Sequence, residues 1–351
     1  AHKGGAGGIF GENTGDIKYA ELTNNGIVSG TYSNNDVAGT GGIFGVNSGD
    51  ITYSSLKNNI GGQVIGTQNV GGLIGINTGT ITGGRIEADG TDADYYKYQI
   101  YNNGVINVGN WTDNADSTAE GYGKVDANEF KAAAGSNIGG LIGYNTTEII
   151  NGVKHTGSLT AGYNTGAINA GSSSNVGGIV GNNAGKVDQV FNTVMTPEGE
   201  GAITGGNNVG GLIGTNSGTL SNAYNTTEVK PTNSGVVGNA VGENSGTITN
   251  IYAANTTGHL IGSGYDKSKV TNAYSFVSND ASATEVISET ADTDNDGITD
   301  RIDSDSYDGF DFTNGTWKNY DGSGNPLLKV FLTTVKVDTD DLPNLVYNTK
   351  D

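Results

Sequence analysis

Cysteine is absent from the 351-residue chain. Disulfides therefore contribute nothing to its stability, and thiol catalysis and cysteine metal sites are excluded. The absence suits bacterial export. Proline is scarce, with 4 residues, and so is positive charge: 17 Lys and Arg face 37 Asp and Glu, a net charge of −20. No basic stripe exists, which argues against nucleic acid as a partner and against an anionic membrane surface. Long apolar runs are missing as well, so no stretch reads as a membrane-spanning helix. Hydrophobic residues make up only 34% of the chain, a value that alone would suggest disorder. Helical periodicity is lacking too; DANEFKAAA at Asp126–Ala134, ending on Gly135, is the one segment that predicts a short helix.

What the chain does contain is glycine, 60 residues of it, and short clusters of Val, Ile and Leu set between Gly, Asn, Ser and Thr. That is the pattern of many short strands joined by turns. One phrase recurs eight times. It begins at Gly7 (GGIFGENTGDI), Gly41 (GGIFGVNSGDI), Gly71 (GGLIGINTGTI) and Gly139 (GGLIGYNTTEI), and again at Gly177 (GGIVGNNAGKV), Gly210 (GGLIGTNSGTL), Gly238 (GNAVGENSGTI) and, degenerate, Gly258 (GHLIGSGYDKSKV). A variable step with a constant core predicts one rung position with insertions tolerated elsewhere. The chain opens AHKGGAGGIFGENTG, already inside a repeat and without Met. It reads as a processed protein or an excised piece of a longer one.

Each unit reads as strand, turn, strand. The turn x-Asn-Ser/Thr-Gly uses residues that tolerate left-handed backbone. In the second strand, as at TLSNAY, Leu220, Asn222 and Tyr224 alternate, which predicts that all three share one face. One unit cannot bury its apolar side alone; stacked copies can, and the expectation is a parallel β-solenoid of roughly ten to twelve rungs about 4.8 Å apart. Equivalent residues would then stack. Asn13, Asn47, Asn77, Asn145, Asn183, Asn216 and Asn244 are expected to form an amide ladder, with Asn222, Asn250, Asn272 and Gln189 as candidates for a second. The other reading of these Asn residues is turn geometry without a ladder. In GGLIG, Leu212 and Ile213 point to opposite sides of a flat strand. Either one is exposed or a corner at the glycines turns both inward.

The phrase G-G-[LI]-[IVF]-G-x-N-[ST]-G resembles the GLUG motif of large secreted bacterial proteins, including filamentous haemagglutinin-like adhesins of two-partner secretion systems and some IgA-peptidase-type proteins. The stretch Thr316–Val335, TWKNYDGSGNPLLKVFLTTV, is similar to the W-x-x-x-[ED]-G-x-x-x-P-x-L segment that closes such arrays. The resemblance covers roughly residues 1–275 and 305–337. It implies an all-β fold, a right-handed parallel β-helix, exported and surface-exposed.

Two segments break the repeat. Residues 84–135 hold Tyr95, Tyr96, Tyr98, Tyr101 and Trp111. Aromatics on a loop projecting from a rigid scaffold can stack on sugars or anchor a protein partner. They can equally pack the insertion onto the solenoid or continue it as an irregular rung. The second segment is DTDNDGITDRIDSDSYD at Asp292–Asp308. Asp292, Asp294 and Asp296 fall at positions 1, 3 and 5 of a calcium loop, with Gly297 at 6 and the Ile298 carbonyl at 7. Asp300 stands at 9 and Asp303 at 12, where an EF-hand has Glu. The run looks like the Asp-rich calcium repeats of thrombospondin type 3 and bacterial surface proteins; the bland alternative is a solvated acidic linker.

The expected organisation is repeats over 1–280, an acidic calcium loop over 281–308, and closing strands over 309–351 that link to a further domain. Catalysis is not expected. Only two Arg (Arg85, Arg301) and three scattered His (His2, His155, His259) occur, and no G-x-S-x-G, H-E-x-x-H or phosphate loop. The expected function is a secreted bacterial surface adhesin or filament segment that contacts glycans or protein receptors on host or neighbouring cells, or like chains. The alternatives are a polysaccharide-degrading β-helix enzyme and a purely structural, self-associating filament subunit. Ice binding is a smaller possibility, because the exposed Thr positions are not periodic enough.

Overall fold

The computed structural model describes residues 5–30, 38–85, 97–111, 130–132, 134–150, 152–194, 202–255, 257–288, 291–294, 296–313 and 315–332. These form a parallel β-solenoid. Each coil places one strand in each of up to four sheets, and every strand pairs in parallel with the equivalent strand of the next coil. The repeat sets the register. Gly7, Gly41, Gly71, Gly139, Gly177, Gly210 and Gly238 lie directly opposite one another along the first sheet. The second sheet has eight strands, from Phe10–Asn13 to Ile261–Ser263. Eight coils at about 4.8 Å make a rod shorter than the expected ten to twelve rungs. The long step between Gly71 and Gly139 is the cause of the difference, since it is a single coil.

The glycine corner answers the question posed by GGLIG. Strand Asn207–Gly210 belongs to the first sheet and strand Ile213–Asn216 to the second. Between them the Leu212 carbonyl accepts from both Ile179 N, at 2.8 Å, and Val180 N, at 3.1 Å. The chain turns there, so Leu212 and Ile213 both enter the main core. A smaller core, with Val64, Ile106, Ile138 and Val209, fills the far end of the cross-section.

The shared face expected for Leu220, Asn222 and Tyr224 is not found. Asn222 has φ +47°, in the left-handed region, as do Gln189, Asn250 and Asn272 at equivalent positions. One left-handed residue inside a strand breaks the alternation. Leu220 and Ala223 therefore face the core, while Tyr224 turns outward into a separate aromatic cluster.

Both proposed uses of Asn can be judged. The seven-membered ladder is complete: each Asn from Asn13 to Asn216 donates Nδ2 to Oδ1 of the next, ending at Asn244, over 2.7–2.9 Å. The second runs from Asn272 through Asn250 to Asn222. Gln189 stands outside it, because its longer side chain turns to Asp188 and Asn222 donates to Asp188 instead. A further buried ladder, not anticipated, joins Asn24, Asn58, Asn102, Asn164, Asn192 and Asn225 at 2.6–2.8 Å.

The long third coil is not one projecting loop. Ile100–Asn102 pairs with Leu56–Asn58 and Gly162–Asn164, and Val105–Val108 pairs with Gln63–Gly66. The helix predicted over Asp126–Ala134 is also corrected: Phe130–Ala132 is a strand, antiparallel to Gly109–Trp111. Pairing with a strand already fixed in the coil outweighs a helical preference worth only tenths of a kcal/mol per residue. Residues 126–129 and 133 lie outside the described residues.

After the last coil, residues 280–286 close the end of the core: Asp280 Oδ2 accepts from Leu260 N, Ser282 Oγ accepts from Ile261 N, and Glu285–Val286 pairs with Tyr274 and Ser275. Residues 300–332 run back along the outside of the sheet that holds strand Thr219–Asn225. They carry the hairpin Trp317–Tyr320 and Gly324–Leu328 and the short 3-10 turns Asp300–Ile302, Ser304–Ser306 and Lys329–Phe331. The closing strands thus cover the outward-turned aromatics rather than the aliphatic core.

Candidate functional site

The left-handed residue that turns Tyr224 outward repeats in successive coils, and so does its effect. Tyr101, Tyr163, Phe191, Tyr224 and Tyr252 form one stack on the outer face. Their ring centroids are 5.4, 4.9, 5.0 and 5.1 Å apart. The three stacks among Tyr163, Phe191, Tyr224 and Tyr252 lie within 4° of parallel. This spacing follows from the coil spacing, which holds equivalent side chains about 4.8 Å apart.

Residues 300–332 fasten onto this stack. Tyr252 Oη donates to Pro326 O at 2.7 Å, and Trp317 Nε1 donates to Asn222 Oδ1 at 3.2 Å. In the next coil Tyr274 Oη donates to Asp308 O at 2.6 Å, and within the segment itself Tyr307 Oη donates to Arg301 O at 2.7 Å. Phe331 meets Phe191 and Tyr163 edge-to-face, at 82° and 86°. A cleft of about 610 Å³ remains between the stack and Leu327, Val330 and Phe331. Thr165, Thr193 and Thr226 form its rim, and Tyr98 and Gln99 line it as well.

The sequence-level aromatic candidates separate. Tyr98 lines this cleft and meets Tyr53 edge-on at 78°. Tyr101 belongs to the stack, and its hydroxyl donates to Asn59 Oδ1 at 2.6 Å. Trp111 ends a strand, opposite Phe130. Tyr95 and Tyr96 lie outside the described residues. Sequence reasoning missed Tyr163, Phe191, Tyr224 and Tyr252 as site residues. Their signal was present as aromatic-Asn pairs, YN, FN and YN at 163–164, 191–192 and 224–225, repeated in step with the glycine phrase.

Burial pushes the Tyr224, Tyr252 and Tyr307 phenols up from their ordinary range. Unfolded tyrosine ionises near pH 10. The raised folded values mean that this contribution to stability is intact below about pH 10 and is lost as pH climbs towards the folded values. Stability should fall by about 1.4 kcal/mol per pH unit for each phenol held neutral. Urea unfolding between about pH 8 and 11.5 checks this; a level profile across that span would contradict the burial of these phenols.

The acidic segment follows the last coil. Ligand-type oxygens of Asp292, Asp294 and Asp296 lie within 4.8 Å of one another. The loop is wound by its own amides. Asp296 N donates to Asp292 and Asp294, Gly297 N to Asp292, and Ile298 N to Asp296. Gly297 has φ +92°, the sharp turn that position 6 requires. Asp303 is buried and accepts from Asp305 N. Its carboxyl is raised, first by burial and then by the nearby Asp296 and Asp294 charges. Asp300 departs from the calcium-loop pattern: its Oδ1 turns back to accept from Thr293 N and Oγ1 at 2.9 and 3.2 Å. The donor set is oxygen only, which suits a hard cation such as calcium.

Among the described residues, no helix is long and apolar enough to cross a membrane. No protein-family model, no curated protein and no solved structure matches the chain.

Proposed function

We propose that the chain is a segment of a secreted bacterial surface adhesin or surface filament. It is a right-handed solenoid stalk with its binding features on one flank. The observation that carries this reading is the stacking itself: eight coils held in register by buried amide ladders. Such a rod is stiff, and few of its backbone groups are left for a protease. Right-handedness is the general rule for parallel strands joined by crossovers. Calcium at Asp292, Asp294 and Asp296, with Ile298 O and Asp303, would neutralise the crowded carboxylates and fix the start of residues 300–332. The ligand would be a receptor on a host or neighbouring cell. Binding is favoured over turnover because, among the described residues, the lining of the cleft carries no carboxylate, imidazole or amine.

The test is capture of cells, and of arrayed glycans and matrix proteins, by the immobilised chain with calcium and with chelator. Capture is expected in calcium and is expected to fall in chelator. Release of reducing sugar would favour the polysaccharide-degrading alternative, and self-association with no captured ligand would favour the structural filament. Calcium itself is checked by calorimetry. The native chain should bind it and gain about 2.7 kcal/mol of stability at a hundredfold excess over Kd. The double variant Asp294→Ala, Asp296→Ala should lose both effects; unchanged uptake by this variant would move the site elsewhere.

A further inference from the structure

We propose that the cleft beside the aromatic stack binds an uncharged aromatic ring, as carried by a Phe, Tyr or Trp side chain of a partner polypeptide. This deepens the adhesin reading and rests on it only for who supplies the ring.

Three observations carry the proposal. The first is which part of each ring is free. Phe191, Tyr224 and Tyr252 stack within 4° of parallel at 5.0–5.1 Å, so their faces are turned to one another. What the stack shows sideways is ring edges, the positive rim of each quadrupole. A sugar brings C–H groups, which need the negative face of a ring. An incoming aromatic ring brings that face and complements the edges. The same cleft is therefore poorly matched to a stacked glycan and well matched to a perpendicular ring.

The second observation is a precedent within the fold. Phe331 already sits perpendicular to two neighbouring rings of the stack, 4.9 Å from Phe191 and 5.6 Å from Tyr163. The groove beside it runs on along Tyr224 and Tyr252, rings that Trp317 also meets at 46°, and the part that no described residue fills is the 610 Å³ cleft. Its volume lies within the range of ordinary ligand sites and exceeds one ring, which leaves room for flanking backbone.

The third is charge. The chain carries a net −20, yet among the described residues no ionisable acid or base other than tyrosine lines the cleft. A charged ligand would lose its hydration there with nothing to replace it. Its polar groups are uncharged: the Gln99 and Asn325 amides, the tyrosine hydroxyls and three threonines, of which the Thr193 and Thr226 hydroxyls lie 2.8 Å apart. They suit the amide groups on either side of a ring, so the occupant is an aromatic residue within a peptide rather than a free hydrocarbon.

The experiment uses the full chain with N-acetyl-tryptophanamide and N-acetyl-phenylalaninamide as ring probes and cellotriose as the sugar probe, by calorimetry. Two variants change the cleft: Thr193→Trp, which fills it from the rim, and Thr226→Glu, which adds a carboxylate there. Should one fail to fold, the other carries the test. The expected result is saturable one-site binding of the ring probes, at least tenfold weaker in each folded variant, and none of cellotriose. No saturable ring binding, ring binding unchanged in both variants, or displacement of the ring by cellotriose would each overturn the proposal. Ring binding by a chain that captures no cell, glycan or matrix protein would overturn the adhesin reading and leave the ring site standing.

Discussion

Alanine at Gly214 is expected to cost the chain its fold, or at least about 4 kcal/mol of it, the range reserved for severe core defects. Gly214 is the third glycine of its phrase, and it packs against the preceding coil. A Cβ there would overlap the Asn175 carbonyl carbon and stand 2.5 Å from both Gly181 O and Val176 N. All three are backbone atoms. A side chain could rotate away, but these atoms are held by the strand pairings of the first and second sheets. The coils cannot separate locally without giving up those hydrogen bonds. Gly15→Ala is the control, since nothing lies within 4 Å of the added carbon; it should change stability by less than about 0.5 kcal/mol. Urea unfolding of both variants decides, and equal midpoints would contradict the close approach of the coils.

The second large effect is expected at Asn183. This side chain is wholly buried. Its Nδ2 donates to Asn216 Oδ1 at 2.8 Å and to Thr219 O at 3.2 Å. Its Oδ1 accepts from Asn145 Nδ2 at 2.9 Å and from Gly185 N at 3.2 Å. Asn183→Ala removes the partner of several groups that water does not reach, each costing about 1–3 kcal/mol. A total loss of about 4 kcal/mol follows, because Asn145 keeps other acceptors. Asn13→Ala, at the half-exposed end of the same ladder, should lose about 1 kcal/mol, since it gives up its bond to Asn47 where water is near. A ladder that merely supplied turn geometry would give similar losses at both positions. Equal effects would therefore return these Asn residues to the simpler reading.

Much of the scaffold was legible because each rung is written in contiguous residues. The Asn ladder from Asn13 to Asn244 could be read from one column of the repeat. The buried ladder from Asn24 to Asn225 could not be read as easily. Its members recur at separations of 34, 44, 62, 28 and 33 residues, and Asn before Asn or Thr looks like an ordinary turn. The outward turn of the aromatics was hidden for a related reason. The left-handed position that causes it is Asn in later coils but Tyr19, Tyr53, Ala161 and Gln189 earlier, and side-chain identity does not announce the backbone angle. The cluster of Asp292, Asp294 and Asp296 was readable because its carboxylates come from one short run. The cleft was not, since its two walls are far apart in sequence: one spans residues 163–252 and the other 324–331.

The strap formed by residues 300–332 has a mechanical consequence. It touches Tyr163, Phe191, Tyr224, Tyr252 and Tyr274, one residue from each of five successive coils. An unstrapped solenoid under tension peels one coil at a time, each coil yielding with only its nearest neighbour's contacts. The strap also reaches the third coil, where Val330 lies against Gly84. The coils it joins are sewn together along one side, so pulling on either end loads them as a block. Among the described residues, the two coils ahead of Gly84 lack that seam. Stretched from its two ends, the rod should unravel first from its N-terminal coils, and the part that carries the cleft should be the last to give way.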